Sequence, residues 1–197
     1  MGRPTSYNKQ QLLDQIVEQF WQNGLLATPV SQLVKITGVH AVSLYSAFGN
    51  KQGLMLAAID HYGENGCMQI EQQLNQQAPA YQNIKLLLTS LMDRSLDDHA
   101  GKGCFLVNSV MEAANSNPQL ADRAKLYLER VCHALQLLLE RAQQAGELEQ
   151  SIDCKDAAVF IQSIMFSLRV MARTRGTRKM LQTTIDYGLQ AIFNKRD

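Results

Sequence analysis

Residues 38–54, GVHAVSLYSAFGNKQGL, carry hydroxyls at Ser43, Tyr45 and Ser46, one cation at Lys51 and no acid. Hydroxyls and an ammonium are the donors that phosphate oxygens accept from, and the small Ala41, Ser43, Ser46 and Ala47 let a helix approach its partner closely. Thr28, upstream, adds a further hydroxyl at the head of another helical segment. A different chemistry lies at GKGCFLVNS, residues 101–109, where two glycines and Lys102 precede Cys104 at the start of a helical pattern. Backbone N–H groups, the positive end of a helix and a nearby lysine each favour thiolate, the reactive form of cysteine.

Other chemistries find no support in the sequence. There is no Gly-rich phosphate loop, H-E-x-x-H, nucleophile elbow or inward-facing carboxylate pair, so no catalytic residue and no cofactor are expected. His61, His99 and His133 lack metal-ligand spacing, and Cys67, Cys104, Cys132 and Cys154 are widely spread without C-x-x-C, so no metal site is expected. The cysteines read as free thiols in a reducing compartment. The 197 residues are 46% hydrophobic, ample for a core, and 19 Lys+Arg against 18 Asp+Glu give a net charge of +1. No global field attracts nucleic acid or membrane, so any basic surface must be local. No signal peptide or long apolar run is seen, and a cytoplasmic protein without membrane association is expected.

The elements that must position these residues are helical throughout. Leu12, Leu13, Ile16, Val17, Phe20 and Trp21 recur at helical spacing over 8–23, with Asn8 and Gln11 placed as a capping box and Gly24 beyond the end. Thr28-Pro29 reads as a cap followed by proline at the first helical position, opening a short helix with Val30, Leu33 and Val34 inward that stops near Gly38. A third short helix covers 40–48, and a fourth restarts at Asn50 and runs to about 76. Longer helices are predicted over 81–98, 104–115, 118–145, 153–174 and 178–193. The second and third, joined by a tight turn at Gly38-Val39 and braced by the first, form a helix-turn-helix whose second member enters a DNA major groove. Residues 1–50 are thus expected to be a DNA-binding domain and 51–197 a helical effector-binding and dimerisation domain. The fold class is all-α, with about nine helices.

At GRP (2–4), FWQNGLLATPVSQLVKITGV (20–39) and above all SLYSAFGNKQGL (43–54), the chain resembles the TetR family of transcriptional regulators, whose pattern is S-L-Y-x-x-F-x-x-K-x-x-L. The resemblance implies a homodimeric regulator, a repressor by expectation, that reads a palindromic operator through paired third helices and has a ligand-responsive body. It places Thr28, Tyr45 and Lys51 at phosphate-contacting positions, His40, Ala41, Val42, Ser43 and Ser46 near base edges, and Arg3 in an arm reaching a minor groove. His40 has the alternative of merely capping its helix, and Arg3 of lying in a polar terminus. Family members often carry Lys, Arg or Gln where this chain has Ala41, and Ser or Thr where it has His40. Thymine-methyl contacts by Ala41 and Val42 would suit those departures. The stretch at Cys104 is similar to the G-C-x-x-V motif of a subgroup that senses electrophiles and oxidants. In that subgroup a basic residue of the penultimate helix supports the cysteine, and Arg169 and Arg173 are the candidates here; they could equally meet an anionic ligand or acids across a dimer interface. Filling a small apolar niche is the alternative for Cys104.

The segment 156–172 is apolar on nearly all faces, and Leu181, Ile185, Leu189 and Ile192 or Phe193 form one stripe on the last helix. Both are expected to pack on their twofold copies in a four-helix interface; a central core helix within one chain is the alternative for the first. Met92, Phe105, Met111, Tyr127, Phe160, Met165 and Phe166 could line a pocket for a small apolar, aromatic or electrophilic effector, with packing in the core as the alternative for each. A dimeric helical adaptor without DNA binding is the rival function, and an all-helical enzyme a more distant one.

Overall fold

The computed structural model describes residues 8–97 and 101–193. Among them every regular element is a helix: α1 (Lys9–Asn23), α2 (Val30–Thr37), α3 (Ala41–Phe48), α4 (Lys51–Leu74), α5 (Ala80–Asp97), α6 (Phe105–Ala113), α7 (Pro118–Gln144), α8 (Cys154–Arg173) and α9 (Arg178–Phe193). The expected Arg3 arm and His99 lie outside the described residues. The chain forms two compact units, one made of residues up to Gly66 with Phe105–Tyr127, the other of Cys67–Cys104 with residues from Leu128 onward.

In the first unit α1 starts where expected, because the Asn8 side chain accepts from the N–H groups of Gln10 (2.9 Å) and Gln11 (3.3 Å) that have no helical partner. Its Leu12, Leu13, Ile16, Val17 and Phe20 are buried, as are Leu33 of α2, Leu44 of α3 and Leu54, Met55, Ala58 and Ile59 of α4. Gly24, at φ +94°, and Gly38, in the left-handed region at φ +70°, end α1 and α2. The start of α2 differs from expectation by one residue: Pro29 is the cap, and the Thr28 hydroxyl turns back to donate to the Gly24 carbonyl at 2.6 Å. Trp21, Tyr62 and Phe105 form an aromatic cluster, with ring centroids 5.1 Å apart for Trp21–Tyr62 and 5.3 Å for Tyr62–Phe105. His61 meets Asp14 at 2.6 Å, joining α4 to α1.

In the second unit α5, α8 and α9 pack on one another. Ile84, Leu88, Leu91 and Met92 of α5, Ile161, Ile164, Met165 and Leu168 of α8, and Leu181, Ile185, Leu189 and Ile192 of α9 make the core. Gly188 permits close approach of the last two helices, since a Cβ there would stand 2.3 Å from Ile164 Cδ1. The Leu181 stripe, expected at a twofold interface, is therefore spent on this unit's own core. Val159, Phe160 and Val170 on α8 and Met180 and Tyr187 on α9 remain exposed. Arg130 of α7 donates to both carboxylate oxygens of Glu71 (2.6 and 2.8 Å), and this guanidinium holds the Glu71 carboxyl below the usual range.

Candidate nucleic-acid interface

Only Leu44 of α3 is buried; it holds the helix to the unit while the other side chains are left outward or at the edge. Val42 is 81% exposed, the most exposed large apolar side chain among the described residues. Ser43, Tyr45, Ser46 and Ala47 are exposed and Ala41 is half-buried, so α3 presents a continuous, uncharged, short-chained surface. His40 precedes α3 in extended conformation and is exposed, and its side chain makes no capping hydrogen bond. The expected base-edge residues thus share one surface element, with Tyr45 among them.

Two of the expected phosphate donors are differently disposed. Thr28 is fully buried and its hydroxyl proton is committed to Gly24, so its side chain shapes the turn instead of reaching outward. The Lys51 ammonium donates to the Leu26 carbonyl at 2.9 Å, which leaves two of its three N–H donors for another acceptor. Lys51 opens α4, and Asn50 caps that helix by accepting from the Gly53 N–H at 2.9 Å. Sequence reasoning passed over Gly53, although a glycine inside the first turn of a helix is a legible signal: a Cβ there would lie 1.9 Å from the Phe48 carbonyl oxygen at the end of α3. Lys9, also passed over, places its ammonium 5.7 Å from the centre of the Phe48 ring.

The candidate effector residues divide between the units. Phe105, Met111 and Tyr127 belong to the first, and Cys104, Phe166, Arg169 and Arg173 to the second. Phe105 is buried in the aromatic cluster, whereas Met111 is 76% exposed on the outward side of α6. The Tyr127 hydroxyl donates to Asp60 at 3.0 Å; burial, then that hydrogen bond, pushes its pKa up to about 12. Arg173 lies against the loop before Cys104, its Nη1 3.5 Å from the Lys102 carbonyl oxygen. Gly101 and Gly103 in that loop have φ of +55° and +77°, and Cys104 is buried. Burial pushes the thiols of Cys132 and Cys154 up, away from thiolate.

A capped, buried brace, a turn at a left-handed glycine and an outward second helix define a helix-turn-helix protein of the DNA-binding class. The profile described as "Bacterial regulatory proteins, tetR family" matches residues 12–58, and "Tetracyclin repressor-like, C-terminal domain" matches 80–187. The chain belongs to the TetR family of transcriptional regulators. It is 27% identical over 173 residues to the HTH-type transcriptional repressor ComR of Escherichia coli, covering 87% of this chain and 82% of that one. A cysteine mutant of the TetR family regulator CifR, complexed with double-strand operator DNA, has the same fold (TM-score 0.84, 24% identity, 96% and 99% of the two chains). So does FadR of Bacillus subtilis in complex with stearoyl-CoA (TM-score 0.76, 18% identity, 96% and 100%). No helix among the described residues is long and apolar enough to cross a membrane.

Proposed function

We propose that the chain is a cytoplasmic repressor that binds a palindromic operator as a homodimer and releases it when the helical body takes up an effector. The observation that carries this reading is α3, whose only fully buried side chain is Leu44 and whose Val42, Ser43, Tyr45, Ser46 and Ala47 are exposed to a groove. His40, Ala41, Val42, Ser43 and Ser46 face base edges, Tyr45 and the free donors of Lys51 meet phosphates, Thr28 sets the turn beneath them, and Arg3 reaches a minor groove. The division at residue 50 assigns residues 51–197 to the effector and dimerisation part, with Lys51 at its first position still turned to the DNA. Operator DNA beside CifR and the repressor name of ComR support the DNA partner. The exposed apolar residues of α8 and α9 recur at helical spacing and support a twofold four-helix interface, which sets the two α3 helices about 34 Å apart on successive grooves. The protein acts by binding, not by catalysis. Fluorescence anisotropy with DNA from upstream of its own gene tests this: tight binding that weakens as salt rises is expected, with a light-scattering mass twice that of the chain. A monomer that binds DNA without sequence preference would overturn it.

A second reading concerns the effector. Cys104, with Arg173 against the loop before it and Arg169 one turn earlier, fits a thiol sensor of electrophiles or oxidants in the G-C-x-x-V subgroup; Phe105, Met111, Tyr127 and Phe166 then belong to the effector-responsive part. Operator release by hypochlorite or quinone in wild type, absent in Cys104→Ser, is the expected result. Equal release in both leaves a noncovalent apolar or aromatic effector.

A further inference from the structure

The turn between α1 and α2 is held by more than its own backbone. Leu26 lies within it, outside any helix, so neither its N–H nor its carbonyl has a helical partner. The N–H donates to Glu112 Oε2 of α6 at 3.3 Å, and the carbonyl accepts from Lys51 Nζ of α4 at 2.9 Å. A carboxylate and an ammonium from two different helices thus grip both polar groups of one residue, each with a charge-assisted hydrogen bond. The turn is shaped to receive them: Gly24 has φ +94°, and a Cβ there would stand 3.3 Å from Glu112 Oε2. On the far side of the same turn the buried Thr28 closes onto the Gly24 carbonyl. A further link fastens the first turn of α4 to the start of α7, where Gln52 Nε2 donates to Gln119 Oε1 at 2.7 Å. All these residues lie within one compact unit.

We propose that Glu112 is a positioning residue for operator recognition. With Lys51 it fixes the turn from which α2 departs, and so the presentation of α3, and it makes α6 a working part of the reading head although it lies 86 residues from Leu26 in sequence. Without its acceptor the Leu26 N–H turns to water, the turn samples more conformations, and the reading surface is no longer preorganised. The proposal rests on the operator reading above.

The test compares Glu112→Ala with Glu112→Gln in the full chain; glutamine keeps a side-chain oxygen at the same reach. The probes are a duplex selected by the wild-type protein from a random pool and amide hydrogen exchange at Leu26. Glu112→Ala is expected to lose operator affinity by about tenfold, the scale of one lost hydrogen bond to a charged group. Helical circular dichroism stays unchanged, and Leu26 exchanges about tenfold faster. Glu112→Gln restores both to within about threefold of wild type, which a role resting on charge or general stability would not produce. Equal loss in the two variants, or wild-type affinity in Glu112→Ala, overturns the proposal. If the wild type selects no duplex, the operator reading falls, and exchange at Leu26 then decides alone: acceleration in Glu112→Ala supports the clamp and an unchanged rate overturns it.

Discussion

Substitution of Val42 by alanine tests the reading surface most directly. The valine is 81% exposed at the second residue of α3, so nearly all of its side chain is available for a groove contact. The change removes two methyl-sized groups; at ~0.8 kcal/mol each when buried, with a groove covering about half of the side chain, each half-site loses about 0.8 kcal/mol. A dimer on a palindrome loses about 1.6 kcal/mol, or about 15-fold in Kd. Replacing thymine by deoxyuridine removes only the C5 methyl, so the same contact can be broken from the DNA side. Anisotropy at fixed salt, with duplexes carrying one symmetric pair of deoxyuridines at a time, should show a loss at one step of the half-site for wild type and none there for Val42→Ala. An operator affinity unchanged in Val42→Ala would refute the reasoning, as would a loss equally large on unrelated DNA.

Gly63→Ala should lower the thermal midpoint, because a Cβ there would lie 2.4 Å from the Tyr127 ring, which the bond to Asp60 holds in place; overpacking of about 1–3 kcal/mol exceeds the ~1 kcal/mol gain in helix propensity, and a Tyr127→Leu background should shrink the cost. Gly188→Ala brings its new Cβ to 2.3 Å from Ile164 Cδ1, so it should destabilise the chain in denaturant unfolding, and that loss should vanish or reverse in an Ile164→Val background. The raised pKa of Tyr127 means that the fold favours the neutral phenol: its contribution is whole below the ordinary value of 10.0 and is lost as pH rises through about 12. Tyrosinate absorbance should therefore show a step near 12 that Asp60→Asn moves down, and an unmoved step would deny the Asp60 contact.

Local signals were legible in the sequence, and contacts over long separations were not. The cap at Asn8, the restart at Asn50, the stop glycines and the apolar periodicity place the helix boundaries within a few residues, because each acts within one turn of chain. The exposure of α3 followed from its small side chains. The direction of a side chain did not: Thr28 reads as a donor until Gly24 turns out to claim it, and Lys51 as a free cation until Leu26 does. Met111 and Glu112 are neighbours on α6, and periodicity alone gave no reason to send the first outward and the second to a turn in another part of the chain. The α9 stripe was recognised as apolar, but whether a helix spends such a stripe on its own core or on a copy depends on α5 and α8 and cannot be read from α9 itself.

The slight anchoring of α3 bears on how such a protein changes over generations. Since Leu44 is the only fully buried side chain of that helix, replacements at 42, 43 and 45–47 alter what is read with little penalty to folding. A lineage can therefore exchange one DNA target for another through single neutral-to-fold steps, keeping the same dimer and the same sensor, and duplicated copies are free to diverge onto separate genes. The constraint falls instead on Gly53, where any side chain would collide with the carbonyl of Phe48, so this glycine should outlast the letters that face the groove.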